Sequence, residues 1–481
     1  MSIFKLLCFV SLAGTATAIL IPDPVCVQIA SSISSGSDVY YPGQALYSKG
    51  IYHWASSSTQ LAKCVVEPGN AADVAVILGI VGSTNTPFAV KGGGHASNPG
   101  FSSTTGVHIS MYRFSTRNYN AASQTVEIGS GLIWDDVYAY LEPYNVNVVG
   151  GRVTGVGVAG FILGYSWKTN QYGLTIDTVT AFELVKPNGA IVTVTQASDP
   201  TLFMGLKGGF NNFGIVTKFT LRTFPQTQVW GGLITIAAPF IPQVAAATAA
   251  FSAGSTDPKA AIITTYNFLL GQPGISQLLF YDGPSPPSGL FDDFLSIPFV
   301  TQDVSTRSFL SLVLSSPSNA TSGTRGIFNT ASVLQYTPAL LDVILNETIY
   351  WGATLSLKSG IFISYDVEPF LPTIYSHNSA ITAFPPVRSL GLTPFNIYYA
   401  YTASVFDSDF YDAARASSAT VMNAAIAGGQ SSLVGAPVYP NYAIFDTPLS
   451  NIYGSNLPVL QALKASIDPT DIMGLAGGFK F

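Results

Sequence analysis

Residues 91–106 read KGGGHASNPGFSSTTG, and this stretch decides the reading of the chain. Gly92, Gly93 and Gly94 follow Lys91 and deliver His95 on a backbone stripped of side chains, the arrangement that lets something large approach closely. The 481 residues hold only four histidines (His53, His95, His108 and His377), so one embedded in a triple-glycine turn reads as a ligand contact rather than as an ordinary core or surface histidine.

Two further glycine clusters lie downstream. GGRVTGVGVAGFILG at 150–164 contains Gly155-Val156-Gly157-Val158-Ala159-Gly160, which matches the G-x-G-x-x-G dinucleotide fingerprint. A nicotinamide-binding unit would need a strand before it, a helix after it and an acidic residue about 20 positions on. Val146–Val149 and Asp177 are the candidates for strand and acid. LKGGFNNFGIVTKFTL at 206–221 sets Gly208, Gly209 and Gly214 around two asparagines ahead of a strand. Bare N–H groups and asparagine amides suit phosphate and ring-nitrogen recognition without charge, and a simple glycine-rich hairpin is the alternative. One extended dinucleotide accounts for all three clusters.

Around these loops, α and β elements mix. A strand near residue 65, a helix over Ala71–Val81, strands at Pro87–Val90, Val107–Met111 and Thr125–Gly129, and a helix over Ile133–Leu141 follow from the spacing of apolar residues. From about Gln226 to Ala436 the texture changes to longer strands and helices, and a tail follows. In that tail Val438-Tyr439-Pro440-Asn441-Tyr442 presents tyrosines beside an asparagine; Tyr439 serves as a base if a neighbour lowers its pKa, although most tyrosines only pack.

Charged residues make up 10% of the chain against the usual ~25%, and hydrophobic residues 48%. The uncharged stretch Gln228–Thr256 is broken by Pro239 and Pro242, so it reads as a strand (Trp230–Ala237), a turn and an alanine-rich helix, with a membrane span as the alternative. Lys5, the apolar run Leu6–Leu12 and Ala16-Thr17-Ala18 fit a secretory signal peptide cleaved before Ile19. Cleavage removes Cys8 and leaves Cys26 and Cys64 as a disulfide pair. The sequons at Asn319 and Asn346 suit glycans. A net charge of −6 without basic runs argues against nucleic acid, and two cysteines with scattered histidines argue against a metal site.

In this order the motifs resemble the flavin-dependent oxidase family that includes berberine bridge enzyme, glucooligosaccharide oxidase and 6-hydroxynicotine oxidase, with the texture of fungal secreted members. The resemblance rests on KGGGHASNPGFSSTTGVHISM, GGRVTGVGVAG, NQYGLTIDTV, LKGGFNNFGIVTKFTL, YPNY and DPTDIMGLAGGFK and covers nearly the whole mature chain. It implies an α+β fold: a PCMH-type FAD-binding domain of two α/β subdomains (19–225, after a signal peptide at 1–18), a substrate domain with an antiparallel sheet backed by helices (226–436), and a C-terminal segment (437–481) returning to the FAD domain. It implies a secreted oxidase that takes a hydride from an alcohol, an amine or a secondary metabolite, with a sugar as a further candidate, and reduces O2 to peroxide, with no nucleic-acid or membrane partner.

His95 falls on the position that links covalently to the flavin. Relatives with a second, cysteinyl link carry it where this chain has Val153, so attachment of FAD through His95 alone is implied. Lys91, Gly92, Gly93, Gly94, Ser97, Gly155, Val156, Gly157, Gly160, Asn212, Gly214, Ile215 and Asn441 are expected to contact the cofactor, Val156 at the position that gates oxygen. Tyr439 is expected to deprotonate the substrate, with Tyr165 orienting it. Relatives read LGGGYSW where this chain reads Leu163-Gly164-Tyr165-Ser166-Trp167, two glycines fewer. That shortening motivates an alternative, a flavin-binding or flavin-free secreted protein that has lost catalysis.

Overall fold

A computed structural model describes residues 22–481. The signal-peptide reading of 1–18 falls outside them.

The first sheet holds β1 (Asp38–Tyr40), β2 (Cys64–Glu67), β3 (Phe88–Lys91) and β4 (Val107–Ser110) in the order β1-β2-β4-β3. β1 runs antiparallel to β2, whereas β2, β4 and β3 are mutually parallel. β2 and β4 are buried at every residue; β2 reads as the apolar run Cys64-Val65-Val66, whereas β4 alternates and buries His108 and Ser110 as well. The helix Ala71–Ser83 links β2 to β3 and starts where the Asn70 side chain accepts from Asp73 N. Cys26 and Cys64 form the expected disulfide, tying the helix Pro24–Ser32 to β2 across 38 residues of chain. Replacing both cysteines by serine is expected to cost about 3–4 kcal/mol of unfolding free energy, read from urea midpoints, because the unfolded chain regains the freedom of that loop.

The second sheet is antiparallel: β5 (Arg117–Asn120), β6 (Thr125–Gly129), β8 (Val179–Val185), β9 (Ile191–Thr195) and β10 (Ile215–Arg222), ordered β5-β6-β10-β8-β9. A small ladder joins β7 (Val146–Asn147) to β11 (Phe224–Pro225). The third sheet is antiparallel throughout and has seven strands: β12 (Val229–Ala237), β13 (Ala260–Leu269), β14 (Gln272–Tyr281), β15 (Thr301–Arg307), β16 (Arg325–Val333), β17 (Gly360–Val367) and β18 (Thr393–Tyr401), ordered β15-β12-β14-β13-β17-β18-β16. Helices Ile241–Gly254, Pro338–Ser356 and Asp407–Ala427 back it, and its other face looks into a large cavity. The sheet backed by helices is as expected, and its core is continuous with that of the second sheet, whereas the first sheet has its own.

Pro242 sits in the first turn of the Ile241–Gly254 helix, where a missing N–H costs nothing. Among the described residues no helix is long and apolar enough to cross a membrane. The tail returns to the first sheet, where Ala476 pairs in parallel with Phe88.

The fingerprint at 155–160 does not form a nicotinamide-type βαβ unit. Only the two-residue β7 lies upstream, and the helix that follows is the single turn Val158–Phe161. Asp177, the acid that would hold a ribose, caps Leu174 N and pairs with Arg388 at 2.7 Å. The third cluster is not a hairpin either, since it joins the helix Pro200–Leu206 to β10.

Candidate active site

β3 ends at Lys91 and releases the triple-glycine loop against the second cluster. A Cβ on Gly93 would lie 2.5 Å from Gly157 Cα, and one on Gly157 would lie 2.6 Å from Gly93 N. The two loops therefore cross backbone on backbone, and each needs the other's glycine. Gly94 takes φ +73, the left-handed turn that swings the chain into His95.

His95 stacks on Trp54, with ring centroids 4.5 Å apart and 25° between planes. Trp54 in turn packs on Phe328 and Tyr398. Burial pushes the His95 imidazole down to about 4, so it is neutral at pH 7. Its buried Nδ1 has no hydrogen-bond partner. Buried polar atoms are rarely left unpaired, so an orphaned, neutral ring nitrogen beside a cavity is an observation that asks for a ligand.

The cavity has a volume of about 1060 Å³ and is walled by Gly92, Gly93, Gly94, His95, Ser97, Val156, Gly157, Gly160, Gly214, Ile215 and Asn441. Three of the residues expected at the cofactor lie elsewhere. Lys91 is turned behind the loop, where its ammonium donates to Tyr52 O at 2.8 Å and burial lowers it to about 8. Gly155 N donates to Asp135 at 2.9 Å, and Asn212 spends its amide on Gly209 O and Phe479 O, both at 2.8 Å, fastening the tail. Lys91 and Asn212 thus build the frame of the cavity, and Gly155 its entry turn.

The cavity wall also carries a polar cluster. Arg152 Nη2 donates to Glu368 Oε2 at 2.5 Å and to the Tyr442 hydroxyl at 3.1 Å, while that hydroxyl donates to Glu368 Oε1 at 3.1 Å. Burial pushes the Glu368 carboxyl up to about 7 against the pull of Arg152. Asp366, two residues earlier on β17, opens on the cavity and accepts from Asn396 Nδ2 at 2.7 Å; burial raises its carboxyl too, with hydrogen bonds from Thr265 and Asn396 opposing. The surface Asp366 exposes lies on the cavity wall.

Tyr439 lines the same space, its hydroxyl accepting from Asn441 Nδ2 at 3.0 Å, and the same amide reaches Gly160 O. Burial holds its phenol well above the ordinary value, and Arg152 only partly opposes this. The phenol is therefore neutral here, and the Asn441 contact fixes the direction in which its hydroxyl can meet a reacting group. Tyr165 is not on the cavity wall. Its ring packs edge-on against Tyr439 at 4.9 Å and its hydroxyl meets Tyr375 and Leu392 O, so it supports Tyr439 from behind. The shortened loop still closes, with Gly164 N donating to Phe161 O and Gly164 O accepting from Thr175 N.

Trp54, Asp366 and Glu368 escaped the sequence reading, and Arg152 entered it only as the neighbour of Val153. A signal was available in Ile363-Ser364-Tyr365-Asp366-Val367-Glu368, where two acids occupy one face of an otherwise apolar strand.

The comparisons with known proteins agree with this geometry. Residues 62–195 match the family model described as FAD binding domain. The chain is 31% identical over 440 residues to the FAD-dependent monooxygenase yanF of Aspergillus niger, covering 87% of this chain and 73% of that protein. It is 37% identical over 302 residues to an uncharacterized FAD-linked oxidoreductase of Arthroderma benhamiae, and there the match covers 61% of this chain and 60% of the relative. Its fold matches 6-hydroxy-D-nicotine oxidase of Arthrobacter nicotinovorans with a TM-score of 0.75 at 18% identity, over 92% of this chain and 97% of the other. The glycine walls, the uncharged cradle and the unpartnered nitrogen of His95 fit a flavin dinucleotide, and the chain belongs to the FAD-linked oxidoreductases.

Proposed function

We propose that the protein is a secreted oxidase carrying FAD through His95 alone and acting on an alcohol, an amine or a secondary metabolite. The observation that carries this is the unpartnered Nδ1 of a neutral His95 on the wall of a cavity of about 1060 Å³ that Asp366 and Glu368 also line. A flavin held here would supply the hydride-accepting and O2-reducing chemistry. The chain's own residues do the rest. Asp366 takes the proton released at the oxidised carbon's heteroatom, and Asn396 fixes the carboxylate that receives it. Arg152 and Glu368 neutralise each other, so among the described residues the Asp366 carboxylate is the one charge left facing the substrate. Tyr439, held by Asn441 and backed by Tyr165, orients the reacting group. Val156 on the cavity wall agrees with access for oxygen, and the Cys26–Cys64 disulfide with exposed Asn319 and Asn346 agrees with secretion.

Anaerobic reduction of the purified protein, followed by mixing with air, tests the oxidase reading without a known substrate. Return of the yellow colour with an equivalent of hydrogen peroxide is the expected result. Recolouring that takes many minutes, as in a flavin shielded from oxygen, overturns it in favour of a dehydrogenase.

A further inference from the structure

The cavity wall formed by the third sheet is ruled into rows by strand register. Thr235, Ser276, Thr265, Asp366 and Asn396 stand directly opposite one another on β12, β14, β13, β17 and β18, and all five line the cavity. Two residues along the strands, Leu233, Leu278 and Ile263 form a parallel row on β12, β14 and β13, also on the wall. The period of two puts both rows on one face, and the next row beyond the polar one, Gly274, Asn267, Ser364 and Tyr398, also lines the cavity, so a polar band two rows wide borders the hydrocarbon row. Five strands at about 4.8 Å spacing make the polar row roughly 19 Å long.

Three observations say what would lie on it. Asn396 Oδ1 is buried with no partner while the other end of the amide donates to Asp366, so an acceptor beside Asp366 waits for a donor. Among the described residues the only aspartate, glutamate, lysine or arginine side chains on the cavity wall are Asp366, Glu368 and Arg152, the last two paired with each other. The mouth is hydrocarbon: Leu270 is 93% and Val300 66% exposed, and both line the opening.

We propose that this face selects a long, neutral, facially amphipathic substrate: a hydroxylated hydrocarbon skeleton lying across the strands. Its hydroxyl edge rests on the Thr235–Ser276–Thr265 row, its hydrocarbon edge on Leu233, Leu278 and Ile263, and a hydroxyl or amine proton goes to Asn396 Oδ1. An oligosaccharide, with hydroxyls on every edge, leaves the leucine row facing polar groups. The proposal rests on the cavity being the oxidase's cofactor and substrate site.

Its test is ligand binding by the purified, flavin-bearing protein, read as a thermal shift and as a perturbation of the flavin absorption band. The probes are a neutral trihydroxylated steroid and cellotetraose. The steroid is expected to raise the melting temperature and perturb the band, and cellotetraose to do neither. Leu278→Asn and Asn396→Val are each expected to weaken steroid binding about tenfold or more, as loss of one buried contact does. Tighter binding of cellotetraose, no response to the steroid, or unchanged affinity in both variants, each judged in folded protein, overturns the proposal. Protein that purifies colourless counts against the cofactor reading instead, and the thermal shift then still decides this one.

Discussion

Asp366→Asn is expected to cut turnover about 10²–10⁴-fold, the usual contribution of a positioned base, while the protein still folds and binds its flavin. The substitution keeps the shape and removes the charge. The pH profile carries the sharper signature. A base must be ionised to act, and burial raises the Asp366 carboxyl above its ordinary 3.8, so the wild-type rate falls on acidification through a limb lying above that value. The variant's residual rate lacks that limb. Rates of flavin bleaching measured against pH, with any alcohol or amine that bleaches the wild type, check both points. A variant with near wild-type bleaching and an unchanged profile would move the base to Glu368, which is sealed by Arg152 and Tyr442.

Gly157→Val carries the second large effect. The added Cβ would sit 2.6 Å from Gly93 N, backbone against backbone, where no side chain is free to swing away. Overpacking of this kind costs about 3 kcal/mol or more and here pushes apart the two loops that frame His95. Little folded protein and no bound flavin are expected. Gly79→Ala is the matched control: it lies inside the helix Ala71–Ser83, a Cβ there meets nothing within 4 Å, and alanine favours the helix by roughly 0.5–1 kcal/mol. Melting curves of the two variants side by side separate a steric crossing from a general sensitivity of this subdomain to glycine loss. Wild-type stability in Gly157→Val would mean that the loops do not cross as described.

What was legible in the chain was local. The strands and helices of the first subdomain follow from apolar runs and caps within a dozen residues, and the glycine loops announced themselves by composition. Their meaning was only half legible. Gly93 and Gly157 read as places where a ligand comes close, and both line the cavity, but the nearest demand on each is the other, 64 residues away in sequence. Asn212 read as a ring-nitrogen donor, yet it holds Phe479 of the tail.

The catalytic wall was the least legible part because register assembles it. Arg152, Glu368 and Tyr442 come from three distant segments, and nothing in the spacing of any one of them points to the others. The stretch Asn396-Ile397-Tyr398-Tyr399-Ala400-Tyr401 reads as core alternation, and half of it is. Ile397, Tyr399 and Tyr401 are buried in the core, whereas Asn396 and Tyr398 stand on the cavity wall. A strand packed on both faces hides which face meets a ligand.

The central claim is that His95 holds the flavin covalently. The direct measurement is the absorbance spectrum of the purified protein before and after acid precipitation, beside the same measurement on His95→Ala. A yellow pellet for the wild type and a colourless pellet for the variant are the predicted results. Colour released to the supernatant by the wild type, or retained in the pellet by His95→Ala, would contradict the account.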